Sequence, residues 1–300
     1  MAASALSCCL LSGRAAAQLV NQPPLDLGQT SFLDGEGGPG FVLETITLGT
    51  MDGYATNGAG RAVPGTNKQW SANVTLHPIL TSTLPLLGGS PGLELLFPFS
   101  LMHMDVPNHP ATNQGGAGDI IISPFIQWSG GTLFGKPFAS RLAIGGAAPA
   151  GSYTASRFIN AGSNVWQVSP YYALTWRPLR DWEISARLIF DWSSRNTHPP
   201  PSLGAGSAQP GSQVALNYAA SYVVSPHLRL GLSGYVLRQV NDTQVGERSV
   251  SGSQQQVFGL GPGLLWNVGP AKVIANVFRE FETRNRPEGF NAVARLLIQF

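Results

Sequence analysis

The sequence predicts an all-β fold: an antiparallel transmembrane β-barrel of about 12 strands, with a C-terminal strand ending in Phe. Three observations predict it. Polar and apolar residues alternate with period two in one segment after another, no helical period interrupts them, and the connections alternate between short and long. Composition agrees: charged residues make up 11% of the 300, with 36 Gly and 23 Pro, which fits neither an ordinary charged surface nor a chain polar enough to stay disordered. Mean hydropathy is +0.04, the average that alternation produces, so a hydropathy window does not reveal the strands. No run approaches the roughly 18 apolar residues of a transmembrane helix.

Residues 2–12 form a short apolar core followed by Ala15-Ala16-Ala17-Gln18, a small-residue cleavage pattern, so residues 1–17 are expected to be a secretory signal peptide. No Lys or Arg precedes the core, which places the expected true start upstream of the recorded one. Cys8 and Cys9 both lie in this leader, leaving the mature chain without a disulfide or a thiolate metal site. Removing Arg14 with the leader lowers the net charge from +2 to +1, which offers nothing to a nucleic acid. Residues 18–39, rich in Pro, Gly and Asp and without a period, are expected to be an extended periplasmic segment that could fold into the barrel as a plug. Gly35, Gly37 and Gly40 match a dinucleotide-binding spacing, but a strand-like run, Phe41 to Leu48, follows where that site needs a helix. Residues 40–300 are then the barrel.

The strands read in order. After Phe41 to Leu48, Trp70, Ala72, Val74, Leu76 and Leu80 oppose Ser71, Asn73, Thr75, His77 and Thr81. Leu93, Leu95, Phe97, Phe99 and Leu101 oppose Glu94 and Ser100; Ile120, Ile122, Ile126 and Trp128 oppose Asp119, Ser123 and Gln127; Phe138, Leu142 and Ile144 oppose Arg141. Trp166, Val168, Tyr172, Leu174 and Trp176 oppose Gln167, Ser169, Thr175 and Arg177. The next strand is the clearest: Trp182, Ile184, Ala186, Leu188, Phe190 and Trp192 oppose Glu183, Ser185, Arg187 and Asp191, with aromatics at both ends as interfacial girdles require. Val214 to Val224 oppose Gln213, Asn217 and Ser221, and Leu228 to Val236 oppose Arg229, Ser233 and Gln239. A Gly-rich strand carries Phe258, Leu260, Leu264 and Trp266; Val273, Ala275 and Val277 oppose Lys272, Asn276 and Glu280. Finally Phe290, Ala292, Ala294, Leu296, Ile298 and Phe300 oppose Asn291, Arg295 and Gln299.

Loop lengths orient the series. With the last strand ending in the periplasm, short connections fall at 85–91, 129–135, 178–181, 225–227 and 267–270, and long ones at 51–69, 105–116, 147–163, 194–211 and 240–253. Only the external connection 283–288 is short.

The polar faces send Glu94, Asp119, Arg141, Glu183, Arg187, Asp191, Arg229, Lys272, Glu280 and Arg295 toward the lumen, as candidates for lining it and selecting solutes or for a salt-bridged network stabilising the interior. Gly88-Gly89-Ser90-Pro91-Gly92 matches a serine-nucleophile pattern, but Pro91 lacks the N–H an oxyanion hole needs, so it reads as a turn. The histidines His77, His103, His109, His198 and His227 lack metal-ligand spacing and read as ordinary rim and lumen residues. No catalytic residue, metal site or cofactor is expected. A Ser–His pair assembled across strands is the arrangement that would make the chain a membrane esterase.

Several phrases carry a resemblance: Gly118-Asp119-Ile-Ile-Ile-Ser-Pro124; Gly162-Ser-Asn-Val-Trp-Gln167 with Pro170 and Leu174-Thr-Trp-Arg177; Leu230-Gly-Leu-Ser-Gly-Tyr235 with Gln239; Gly261-Pro262-Gly263; and Arg284-Asn-Arg-Pro-Glu-Gly289. In this order, and over about Phe41 to Phe300, the chain resembles the phenol-degradation meta-pathway family of bacterial outer-membrane proteins, often called transporters. It departs from that pattern between Asn196 and Gly211. The resemblance implies a barrel in the bacterial cell outer membrane, passive uptake of small hydrophobic or aromatic compounds, and a terminal aromatic, Phe300, that serves as an assembly signal. The implied partners are outer-membrane lipid, the barrel-assembly machinery and the solute itself. The alternative is a structural or adhesive barrel with a closed lumen.

Overall fold

The computed structural model describes residues 20, 22–65, 68–105, 111–157 and 159–300; the expected leader lies outside them. Twelve long strands among these residues form the wall: β1 Gly40–Ala55, β2 Lys68–Thr81, β3 Ser90–Asp105, β4 Ile121–Leu133, β5 Lys136–Ala147, β6 Gln167–Trp176, β7 Trp182–Ser193, β8 Gln213–Ser225, β9 Leu228–Gln239, β10 Gln256–Val268, β11 Ala271–Arg284 and β12 Pro287–Gln299. Each pairs antiparallel with its neighbours in sequence, and the ring closes where β1 meets β12, from Val42 opposite Gln299 to Ala55 opposite Pro287. Closure leaves no unpaired edge between these strands, which is the condition for a sheet to stand in hydrocarbon.

The two faces of the wall separate as the alternation requires. Along β7, Leu188 is 52% exposed and Glu183 0%. Trp182, Ile184, Phe190 and Trp192 share the exposed outer side with Leu188, while Ser185 and Asp191 are buried inside. The same division holds for Leu142 and Ile144 against Arg141, and for Leu230 and Leu232 against Ser233. An apolar exterior of this extent, with Trp70, Trp166, Trp182, Trp192 and Trp266 among its exposed side chains, belongs to a barrel embedded in a lipid bilayer.

The inner face is less polar than alternation alone suggests. Ile46, Ile79, Phe125, Ala143, Ile189, Leu237, Val257, Phe278 and Val293 are buried there in one cluster, which Leu25 and Leu27 of the N-terminal segment join. The segment that could have lain below the barrel therefore occupies the lumen. Inward aliphatic positions exist because they pack on this plug rather than facing water.

Strand ends differ from the expected connections because the ladders continue beyond the apolar band. β1 continues to Ala55, and β4 and β5 continue to Leu133 and Lys136, leaving Phe134 and Gly135 as their turn. The turn before β3 runs from Leu86 to Gly89, with two backbone hydrogen bonds and φ of 51° at Leu87 and 75° at Gly88; of the motif read as a turn only Gly88 and Gly89 lie in it, while Ser90, Pro91 and Gly92 begin β3. Ala208–Gln209, Gln244–Val245 and Arg248–Ser249 form a small separate sheet, of which only the first strand lies in the region, 196–211, that departs from the family pattern.

The wall is interrupted once between β3 and β5. The outer half of β3 pairs with a short strand, Thr112–Ala117, and the inner half with β4, with residues 118–120 between the two. Asp119 turns inward there and accepts from the backbone N–H of Gly151 at 2.8 Å and of Ser163 at 2.7 Å, pinning the connection after β5 against the gap.

Candidate functional site: the lumen and its plug

The lumen holds a chain of charged side chains that crosses several strands. Arg295 on β12 donates to Glu44 on β1 at 2.5 Å; the other Glu44 oxygen faces His77 Nδ1 on β2 at 2.7 Å. His77 Nε2 lies 3.4 Å from Glu94 on β3, and Glu94 accepts from Arg141 on β5 at 3.2 Å and from the Tyr171 hydroxyl on β6 at 2.6 Å. Arg141 stands over the Phe125 ring at 4.2 Å, and Arg187 of β7 over the Tyr171 ring at 4.1 Å. Positive and negative groups alternate along this line, so nearly every buried charge has a counter-charge at contact distance.

The plug ties onto the end of that chain. Arg187 grips Asp34 through two parallel bonds of 2.8 Å and reaches Asp26 at 3.4 Å. A two-pronged guanidinium–carboxylate contact fixes orientation as well as distance. Asn217 on β8 donates to Asp26 Oδ1 at 3.1 Å and Thr30 Oγ1 at 2.9 Å and accepts from the Gly28 N–H at 3.1 Å. Further anchors are Gln127 to the Gly35 carbonyl at 2.8 Å, the Gly35 N–H to Thr175 at 2.9 Å, and Ser31 to Asn276 at 3.0 Å. Gly35 lies so close to β6 that an added Cβ would stand 2.4 Å from the Leu174 and Thr175 backbone, so the first glycine of the false dinucleotide motif serves a close approach to the wall. Phe32, 1% exposed, packs with Ala219, Leu265 and Ile274.

The remaining candidates form local sets. Glu183, on β7, accepts from Ser185 at 2.6 Å and Ser221 at 2.8 Å, and Arg229 on β9 donates to the same Ser221 hydroxyl at 2.9 Å. Asp191 accepts from Gln167 at 2.6 Å. Glu280 accepts from Tyr235 at 2.8 Å and pairs with Arg286 at 3.3 Å. Asp119 serves the wall interruption, and Lys272 is half-buried near the periplasmic end. The structure thus joins Glu94, Arg141, Arg187 and Arg295 in one chain and leaves the other six apart. Sequence reading missed Glu44, Tyr171, Asp26 and Asp34 and took His77 for an ordinary residue. The parity of Glu44, His77 and Tyr171 marks their inward direction, but nothing in one strand shows what it faces on another.

Among the described residues, no serine hydroxyl is hydrogen-bonded to a histidine ring, and no group of three or more His, Asp or Glu side chains is placed to hold a metal ion. Comparison with known proteins adds three findings. The profile of the family described as "Putative MetA-pathway of phenol degradation" matches residues 52–296. An outer-membrane channel from Pseudomonas putida F1 superposes with a TM-score of 0.78 at 15% identity, covering 93% of this chain and 100% of that one. The transport unit of the autotransporter AIDA-I from Escherichia coli superposes with a TM-score of 0.53 at 10% identity, covering 96% of this chain and 98% of that one. No curated protein matches the sequence. At these identities the two structures support the barrel fold.

Proposed function

Because the chain belongs to the MetA-pathway phenol-degradation family, we propose that it is a passive outer-membrane channel for small hydrophobic or aromatic compounds. The observation that carries this reading is the mixed lumen. A wall that only held back water could be lined with ion pairs throughout, whereas here an apolar layer from Ile46 to Val293 lies against Leu25 and Leu27 of a separate, tethered segment. A solute with an apolar body could replace those plug contacts with its own. The route is the lumen, or a lateral passage where the ladder breaks at residues 118–120. The ten polar candidates would then act in two ways, the chain from Arg295 to Arg187 by holding the wall and plug in register, and the remainder by selecting what passes. The barrel-assembly machinery, reading the strand that ends at Phe300, is the partner this reading requires.

Uptake of benzyl alcohol and of a sugar of similar size into vesicles, with and without the protein, tests the proposal. We expect faster passage of the aromatic solute; no change for any solute would sink it. The plug favours one competing reading, a structural barrel with a closed lumen, since Arg187, Asn217, Gln127, Thr175 and Asn276 all tie it down. That reading expects no flux in the intact protein and flux only after the plug is released.

A further inference from the structure

The plug does not stop inside the lumen; it crosses from one mouth to the other. Towards the Phe300 end of the wall, the Gly37 carbonyl accepts from the Ser129 hydroxyl and Glu36 is bonded to Arg177 at 2.6 Å. Midway, Asp34 holds Arg187 and the Gly28 N–H is held by Asn217. At the opposite mouth the Pro24 carbonyl accepts from Gln167, at the start of β6, at 3.4 Å, and Gln22 donates to Gln239, at the end of β9, at 3.5 Å. Beyond these, Val20 is buried in one cluster with Leu203 and Ala208 of the connection between β7 and β8, and Val245 of the connection between β9 and β10 packs against it.

The connections that Val20 joins are also fastened to one another. Gln244–Val245 pairs with Ala208–Gln209, Arg195 reaches Glu247 at 2.8 Å and Gln244 at 3.1 Å, and the Gly246 N–H donates to the Ser207 carbonyl at 2.8 Å. A third connection, between β5 and β6, joins through Tyr153, which donates to the His198 carbonyl at 2.8 Å and accepts from Asn196 at 3.0 Å. The three form one assembly at that mouth. Its ladders are 2 residues long where the wall strands run from 10 to 16, so it opens at far lower cost than the wall. Its buried apolar cluster is completed by a residue of the plug.

We propose that the plug is a strap: through Val20 it holds the connections after β5, β7 and β9 shut as a lid, and the lid opens when the strap slackens anywhere along the lumen. This is the mouth that the loop lengths assign to the cell exterior. The lumen contacts at Asn217 and Arg187 and the apolar pin at Val20 then form one mechanical line, so a change at the middle is felt at the lid. On the uptake reading, on which the proposal rests for what passes, opening this lid is the step that admits a solute.

Hydrogen exchange of the full-length protein in detergent reads the lid without requiring transport. We expect Val20→Ser to speed exchange at the backbone N–H groups of Ala208 and Gly246 about tenfold, as loss of a buried valine contact should, and to leave the middle of the wall strands unchanged. Arg187→Ala, at a residue bonded to none of the three connections, should speed the same two amides by slackening the strap at its middle. Exchange unaffected by Val20→Ser, or sped by Val20→Ser and not by Arg187→Ala, in a barrel that keeps folded migration on a gel, overturns the proposal. Vesicle flux of benzyl alcohol separates the two claims. Faster exchange in both variants with no flux in any protein refutes uptake and leaves the strap standing, whereas flux in the parent that neither variant raises refutes the lid as the gate.

Discussion

At the scale of single residues, the lumen is governed by what each buried charge touches. Tyr171 contributes twice, donating to Glu94 at 2.6 Å and lying beneath Arg187 at 4.1 Å. Tyr171→Phe keeps the ring and removes the donor, so it should destabilise the barrel by about 1.5–3 kcal/mol, read from urea unfolding in lipid vesicles. Gly35→Ala tests the plug: its Cβ has no room against the β6 backbone, so the plug should seat poorly and single-channel conductance should rise. Conductance equal to that of the parent would show that the plug does not limit ion passage. His77 shows why such residues escape sequence reading. Its inward direction follows from its parity with Ser71 and Thr75, but its position between Glu44 and Glu94 depends on two register choices in other strands.

At the scale of elements, the twelve strands were legible because lipid permits little deviation on the outer face. Leu188 lies midway along β7, so Leu188→Arg should cost about 2–4 kcal/mol, whereas a charge at Trp192, near the strand's external end, should cost about 0–1 kcal/mol beyond the lost aromatic. Folding yields of the two variants in vesicles would compare them; equal yields would count against the assigned membrane position. The plug was not legible in the same way. No repeat marks it, because its residues were selected for individual contacts with the wall, such as Asp34 for Arg187 and Phe32 for the space beside Gly231. Arg187→Ala removes its strongest tie, and we expect larger and more frequent open events in planar bilayers.

At the scale of the whole molecule, closure is the decisive event. The Phe300 N–H donates to the Phe41 carbonyl at 2.9 Å, and the two rings lie 5.7 Å apart at the periplasmic seam. Phe300, proposed above as the assembly signal, is 73% exposed in the closed barrel. Deleting Phe300 should reduce the heat-modifiable folded band from cells by more than it reduces flux through barrels already assembled; normal assembly would refute its role as a signal. Loop lengths predict an orientation for the whole but not the ladder break at residues 118–120, since Gly118 and Asp119 read like any strand entrance until Gly151 and Ser163 are seen to meet them.

The plug has one more effect, which is mechanical. Its hydrogen bonds run to β4 at Gln127, β6 at Thr175, β7 at Arg187, β8 at Asn217 and β11 at Asn276, walls that face one another across the barrel. It therefore acts as a set of spokes inside a hoop. A hoop with spokes resists being pressed into an ellipse, and a thin-walled one without them yields easily. Lateral pressure from the membrane would then deform the cross-section only as far as those spokes slacken, so the stiffness of the wall and the seating of residues 22–39 become a single property.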